Sequence, residues 1–361
     1  GDHLPEFGPY LDTSYATTWG PAMNMAGAGS DHVRRYFIEQ VVGWIRDFHV
    51  DGFRFDAVHA VVDQTANPFW GEACNAVRVA ARAERRQVVL IGETSDNDPR
   101  QLAPADRGGF GFDAVWCDDV HHSLRVALTG ERHGYYVDYE GSAHELADTV
   151  AHRWKFRGQY SLARGRRHGR PAAEMAPHRF VACTQNHDQV GNRPDGSRPD
   201  HLLDDAQRRY FAAAVLLSPY TPMLFMGEEY GELAPFPFFV DHTHPALLAA
   251  TNEGRAAEFS EADWSVRVPA PGDPAIFESA KLDPSVVDRD ERSANLQAMY
   301  TELLRLRRDH PAIGSPEATL QVDQDGDVVT IRRSLDDEQV VVTLDTATPH
   351  ATLTANGTQL F

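Results

Sequence analysis

Short apolar segments, each followed by acidic or polar residues, recur along the chain and alternate with helical patterns. In chain order they are residues 52–55 before Asp56, 88–91 before Glu93, 114–116 before Asp118, 180–182 before Asn186, and 223–225 before Glu228. Short segments that are nearly all apolar are typical of parallel strands buried on both faces, with helices covering the sheet. This feature predicts an α/β fold.

Two α/β architectures place polar residues at the carboxyl ends of parallel strands. A doubly wound sheet that binds a nucleotide carries a glycine-rich phosphate loop after one strand, and the sequence has none. A (β/α)8 barrel, or TIM barrel, builds its active site at this end from several strands. The barrel is therefore favoured.

The pattern changes near residue 312. A helical pattern over residues 294–308 is followed by alternating apolar residues in 320–322, 328–331 and 340–344. Alternation with period two predicts antiparallel strands with one buried face. We therefore expect the later strands and helices of a catalytic barrel in residues 1–312 and a small antiparallel β domain in 313–361.

Composition excludes some partners. The net charge is −19 over 361 residues, which argues against nucleic acid and against an anionic membrane surface. The three cysteines are far apart and provide no disulfide framework, so a cytoplasmic location is the simplest expectation. The oligomeric state is left open.

Three carboxylates, Asp56, Glu93 and Asp188, follow three different predicted strands and can converge on one cleft. Retaining glycoside hydrolysis needs a nucleophilic carboxylate and an acid/base about 5 Å apart. Arg54 lies two residues before Asp56, on the same face of the strand, where it would keep that carboxylate ionised. A single acidic residue after a strand is more often a helix cap. Three such residues, each after a different predicted strand, make helix capping an insufficient explanation for the set.

The segments 51–56, Glu93 in its short strand, and 186–188 resemble, in order, three of the four sequence signatures of the α-amylase superfamily. The resemblance implies that Asp56 is the nucleophile and that Glu93 is the general acid/base. It also implies that Asp188 binds and distorts the sugar at the scissile bond, and that His187 binds the same sugar.

Longer strings resemble the maltooligosyltrehalose trehalohydrolase family. They are residues 18–24, 51–60, 118–122, 128–132 with 134–136, 185–192, 218–231 and 235–239. This resemblance implies a glycoside hydrolase that cleaves the α-1,4 bond next to a terminal trehalose unit of a malto-oligosaccharide and releases trehalose. It implies neither cofactor nor metal. The alternatives are glycogen branching enzyme or another α-amylase-type transferase or hydrolase and, more distantly, a non-catalytic carbohydrate-binding barrel.

The family has an N-terminal β-sandwich and three barrel strands before the region that this sequence matches. The first superfamily signature, which follows the third barrel strand, has no counterpart here. We therefore expect that the first strands of the barrel are absent from this chain and that the sequence is part of a longer protein.

Further substrate contacts are expected around these carboxylates. Asp119 and His121 have the chemistry of metal ligands, but sugar binding is favoured because no further cluster completes a metal site, and helix capping is the structural alternative. The remaining candidates are Arg54, His59, Asn186, His187 and the loop residue Phe236. Other aromatic residues that could stack on sugar rings are Trp19, Tyr136, Phe238 and Phe239.

Overall fold

The computed structural model describes residues 4–17, 20–259 and 268–361. The chain divides into two compact units. One comprises the described residues of Gly1–Cys117, His152–Ser161 and Arg166–Val181, and the other comprises those of Asp118–Ala151, Leu162–Gly165 and Ala182–Phe361.

The parallel sheet predicted from the apolar segments is present. Gly52–Phe55 pairs with Val89–Gly92, Val89–Gly92 with Ala114–Trp116, and Ala114–Trp116 with the start of Phe180–Cys183, all in parallel. Thr221–Met223 follows Phe180–Cys183 in the strand order of this sheet. The α/β prediction is confirmed, and Asp56, Glu93, Asp118, Asn186 and Glu228 each come after one of these strands.

The last of these strands is displaced from its predicted position. The sequence predicted residues 223–225, whereas the strand is Thr221–Met223. The backbone N–H of Phe225 donates to the Glu228 carboxylate at 3.0 Å. That contact turns the chain out of the sheet before Phe225.

An aromatic core supports the sheet in the first unit. The helices Ser30–Phe48 and Phe69–Ala83 flank the strand Gly52–Phe55 in sequence. Phe55 packs edge-on against Trp70 at 5.3 Å between ring centroids, and Phe112 lies 5.6 Å from Trp70. Trp70 Nε1 donates to the carbonyl of Val58 at 3.1 Å. The turn that follows Asp56 is thereby fastened to the core.

Smaller elements complete the first unit. They are the helix Leu4–Phe7 and two antiparallel hairpins, Leu11–Thr17 with Gly20–Met23 and Arg157–Ser161 with Arg166–Gly169.

The second unit holds the remaining helices. They are Asp118–Thr129, Ala143–His152 (whose last residue belongs to the first unit), His187–Gly191, Asp205–Leu216, Pro245–Glu258, Pro274–Ser279 and Glu291–Asp309. Glu291–Asp309 covers the helix predicted over 294–308. It begins where the Asp290 carboxylate accepts from the N–H of Ser293 at 3.0 Å, an N-cap that satisfies a free helix donor.

The C-terminal antiparallel sheet is also confirmed. Its strands, in spatial order, are Thr319–Asp325, Val328–Leu335, Glu338–Asp345, His350–Ala355 and Thr358–Gln359. Buried and partly exposed residues alternate along Val328–Leu335, as period two requires. The boundary at residue 312 stays a prediction.

No helix among the described residues is both long enough and apolar enough to cross a lipid bilayer.

Candidate active site

Asp56 and Glu93 follow neighbouring parallel strands in register. Phe55 pairs with Gly92, so the next residue on each strand is one of the two carboxylates. Backbone bonds continue past the strand ends, since the N–H of Glu93 donates to Phe55 and that of Val58 donates to Glu93, both at 2.9 Å. The two residues are therefore held side by side by the sheet.

Arg54 links the two carboxylates. Its Nη1 donates to Asp56 Oδ1, and its Nη2 lies 3.7 Å from Glu93 Oε2. The guanidinium carbon lies 4.4 Å from the ring centre of Trp116, the last residue of the next strand but one. A positive charge between two carboxylates offsets their repulsion, and the indole face fixes where that charge lies.

The two carboxylates differ in exposure. The side chain of Asp56 is 79% exposed, whereas that of Glu93 is 14% exposed. Ala57 adopts a left-handed backbone with φ 43° and donates its N–H to Glu93 Oε2. This conformation is disfavoured for an alanine. The strained turn thus leaves the Asp56 carboxylate exposed to solvent and holds the mostly buried Glu93 carboxylate through a hydrogen bond.

Asp188 belongs to the second unit and lies at the start of the helix His187–Gly191. The Asn186 side chain caps this helix, because its Oδ1 accepts from the N–H groups of Asp188 and Gln189 at 3.0 Å each. The side chains of His187 and Asp188 are 46% and 48% exposed, with Nε2 and Oδ1 3.6 Å apart. Both side chains are about half exposed, whereas Asn186 is buried and its oxygen accepts two hydrogen bonds.

The structure therefore brings the predicted residues together in two groups. Arg54, Asp56 and Glu93 form one in the first unit, and residues 186–188 form the other in the second. His59 is exposed on the turn Val58–Ala60, directly after the first group. Convergence of all three carboxylates on one cleft stays a prediction.

Asp119 and His121 are buried in the second unit. Asp119 is 4% exposed and accepts a hydrogen bond from the Tyr139 hydroxyl. His121 is inaccessible, stacks on Phe211 and lies 3.1 Å from the Tyr136 hydroxyl. Burial, helped by nearby Arg125, lowers the pKa of His121 to about 3. These are contacts of packed interior residues, and sugar binding by either side chain stays a prediction.

Phe236 is half-buried, and its backbone N–H donates to the carbonyl of Gly196 at 2.8 Å. Its ring meets Phe225 edge-on at 5.2 Å. Of the other aromatic candidates, Phe238 and Phe239 are exposed, Tyr136 is buried, and Trp19 lies outside the described residues.

Two features of the site escaped the sequence interpretation. The sequence indicated Trp116 only as a strand residue, although its place at a strand end was a signal that it could contact the site. Glu228 is 2% exposed and bonds to the residue that follows the strand Phe180–Cys183. An acidic residue after the last apolar segment was visible, but its burial was not.

No group of three or more histidine, cysteine, aspartate or glutamate side chains within residues 4–17, 20–259 and 268–361 is arranged to hold a metal ion.

Comparison with known proteins gives a consistent result. The chain is 44% identical over 329 residues to the malto-oligosyltrehalose trehalohydrolase of Mycobacterium tuberculosis (strain CDC 1551 / Oshkosh), which covers 90% of this chain and 56% of the relative. It is 44% identical over 326 residues to that of Arthrobacter ramosus, with the same two coverages. The chain thus spans little more than half the length of these relatives. No family model matches it.

A solved structure supports the fold. A Salmonella typhimurium protein, provisionally described as an alpha-amylase, superposes with a TM-score of 0.82 at 33% identity. The alignment covers 95% of this chain and 59% of that one.

Proposed function

Because the chain belongs to the malto-oligosyltrehalose trehalohydrolase family, we propose that it carries the catalytic carboxylates of a retaining α-glucan hydrolase. The substrate is a malto-oligosaccharide capped with trehalose, and the bond cleaved is the α-1,4 bond next to the trehalose unit. The observation that carries the proposal is the shared contact of Asp56 and Glu93 with the Arg54 guanidinium.

In the first step, Asp56 attacks the anomeric carbon of the glucosyl unit at the scissile bond. The C–O bond to trehalose breaks, and Glu93 transfers its proton to the departing oxygen, so trehalose leaves neutral. The malto-oligosyl chain stays bound to Asp56 as a glycosyl ester. The open position of Asp56 suits attack on a bulky substrate.

In the second step, Glu93 is a carboxylate and removes a proton from water. The water oxygen bonds to the anomeric carbon, the ester bond to Asp56 breaks, and the sugar keeps its α configuration. Arg54 stabilises the carboxylate of Asp56 before attack and after release. Asp56, Glu93 and one water molecule therefore account for every proton transfer and every bond that forms or breaks along this route.

The remaining residues are proposed to bind the sugar. Asp188 and His187 are open to the ligand and would contact the glucosyl unit at the scissile bond. His59 is exposed on the turn that follows Asp56 and would contact the sugar from there, and Phe236 would stack on a pyranose face. For Asn186, Asp119 and His121, a direct contact with sugar requires a rearrangement of their present hydrogen bonds.

We further place the protein in the cytoplasm. The cysteines Cys74, Cys117 and Cys183 are buried and form no disulfide, which suits a reducing compartment.

Product analysis tests the function. The intact enzyme that carries this sequence is incubated with maltooligosyl trehalose, and the products are separated and followed by NMR. We expect free trehalose and a malto-oligosaccharide formed with the α configuration, and neither from an Asp56→Asn variant. Longer or branched glucans without trehalose would instead identify a transferase.

A further inference from the structure

We propose that Glu228 and Asp200 are positioning residues for the turn formed by residues 184–188, here called the Asp188 turn. Glu228 binds the side chain of Thr184, and Asp200 binds the side chain of Gln185. The inference rests on the proposed role of Asp188 as the carboxylate that binds the sugar at the scissile bond.

Glu228 fixes the beginning of the turn. One of its oxygens, Oε2, accepts from the Thr184 hydroxyl at 2.9 Å and from the N–H of Phe225 at 3.0 Å. The other oxygen, Oε1, is hydrogen-bonded to the Tyr300 hydroxyl at 3.3 Å. Thr184, Glu228 and Tyr300 are all at most 5% exposed. One carboxyl group therefore joins the strand end, the loop after the last parallel strand and the helix Glu291–Asp309.

Asp200 holds Gln185, the residue after Thr184. Its Oδ2 accepts from Gln185 Nε2 at 3.2 Å, and its Oδ1 lies 3.2 Å from Arg208 Nε. Arg208 also donates to the backbone carbonyl of Asp200. Gln185 is 2% exposed. The turn is thus anchored at two successive side chains to two buried carboxyl groups.

The anchored residues lead directly into the helix cap. Asn186 follows Gln185, and its side chain accepts the N–H groups of Asp188 and Gln189. A displacement of Thr184 or Gln185 moves the cap, and with it the direction of the Asp188 carboxylate. Since about 1 Å of misplacement can lower a rate a hundredfold, these distant contacts bear on turnover.

Burying two carboxyl groups close together is costly. Burial raises the pKa of Glu228 to about 8 and raises that of Asp200. The charged and titratable groups facing Glu228 include Asp200, Arg198, Tyr300 and Cys183. A neutral Glu228 avoids placing two negative charges close together in the interior. A neutral carboxyl carries one proton and can donate it to the Tyr300 hydroxyl oxygen, so a glutamine at position 228 can keep all three contacts by donating from its amide group to Tyr300.

The test compares matched variants of the intact enzyme. Thr184→Val removes the hydroxyl at constant shape, and Thr184→Ser keeps it. Glu228→Gln keeps the contacts, and Tyr300→Phe removes one of them. The control is Tyr210→Phe, which deletes a buried hydroxyl that has no hydrogen-bond partner among the described residues. Urea unfolding midpoints show which variants fold.

Two readouts are taken on each folded variant. Hydrogen exchange measures the protection of the Asp188 and Gln189 amides, and trehalose release from maltooligosyl trehalose gives kcat and KM. For Thr184→Val we expect protection to fall about tenfold or more and kcat to fall about 10- to 100-fold with a smaller change in KM. Tyr300→Phe should show the same losses more weakly. Thr184→Ser, Glu228→Gln and Tyr210→Phe should stay near the parent.

Unchanged protection of both amides in Thr184→Val and Tyr300→Phe would overturn the inference, as would equal losses in the Tyr210→Phe control. If Thr184→Val does not fold, Tyr300→Phe decides by the same criteria. A parent enzyme that releases no trehalose would refute the proposed function, while hydrogen exchange would still decide whether these contacts hold the turn.

Discussion

The guanidinium of Arg54 lies over the indole of Trp116, with 4.4 Å between the guanidinium carbon and the ring centre. Arg54 reaches both Asp56 and Glu93 from this position. The aromatic face thus helps to place one positive charge beside both carboxyl groups.

Replacing Trp116 with leucine should lower kcat for trehalose release about 2- to 30-fold. A cation–π contact is worth about 0.5–2 kcal/mol, and about 1.4 kcal/mol corresponds to a tenfold rate change. Trp116→Phe keeps a ring face and should retain more activity. Steady-state kinetics on both variants measures the effect. Equal losses of kcat in Trp116→Leu and Trp116→Phe would show that the size of the indole, and not its aromatic face, supports turnover.

Acid should weaken the second unit through Glu131. Despite burial, which raises the pKa of this carboxyl, Arg125 and Arg193 lower it to about 2, with Glu131 oxygens 2.6 Å from Arg125 Nε and 2.8 Å from Arg193 Nη1. A depressed pKa gives stability that is present above the unfolded value near 4.5 and is lost as the pH falls toward 2. The contribution is on the order of 3 kcal/mol.

Urea unfolding of the parent and of Glu131→Gln, followed from pH 7 to pH 2, checks this expectation. The difference in unfolding free energy should be largest above pH 5 and should shrink in acid. Glu39→Gln is the control, because the Arg35–Glu39 pair is about two-thirds exposed and such pairs contribute little. If the difference in unfolding free energy between the parent and Glu131→Gln stayed constant from pH 7 to pH 2, the lowered pKa of Glu131 would be contradicted.

Glu228 should have the opposite effect to Glu131 on the pH dependence of stability, and at higher pH. Burial raises its pKa from 4.5 to about 8, so the folded state binds more protons than the unfolded state between these values. The stability of the parent should therefore fall as the pH rises from about 4.5 to 8. Glu228→Gln cannot ionise and should gain on the parent across that window. Parallel stability curves for the two proteins would refute a buried, neutral carboxyl.

Chelation should leave trehalose release unchanged, because Asp56, Glu93 and water provide every bond and proton change of the double displacement. Activity is measured after exhaustive dialysis against a chelator and again after divalent cations are restored. Loss of turnover that is recovered with one cation would require a different mechanism.

The parallel strands and the places of Asp56, Glu93 and Asp188 were predictable because the signal is local. A run of apolar residues defines each strand, and the next polar residue must lie at its carboxyl end. The C-terminal sheet was predictable for the same reason, since alternation is read within one strand.

Contacts between distant segments were not predictable in this way. The stacking of Arg54 on Trp116 depends on strand order, and the burial of Asp119 depends on Tyr139, which lies 20 residues further along. His121 has the chemistry of a ligand, but packing against Phe211 encloses it. Residue type indicates what a side chain can do, whereas exposure is decided by tertiary structure.

The roles of Asp56 and Glu93 are tested most directly with a glycosyl fluoride, whose leaving group needs no proton. Glu93→Gln keeps the nucleophile but loses the group that activates water, so we expect it to accumulate a glycosyl-enzyme visible by mass spectrometry. Added azide should then restore turnover with retention of configuration. Asp56→Asn should form no such intermediate, and azide would give an inverted product if it reacts at all. Accumulation in Asp56→Asn and none in Glu93→Gln would exchange the two roles and contradict the assignment.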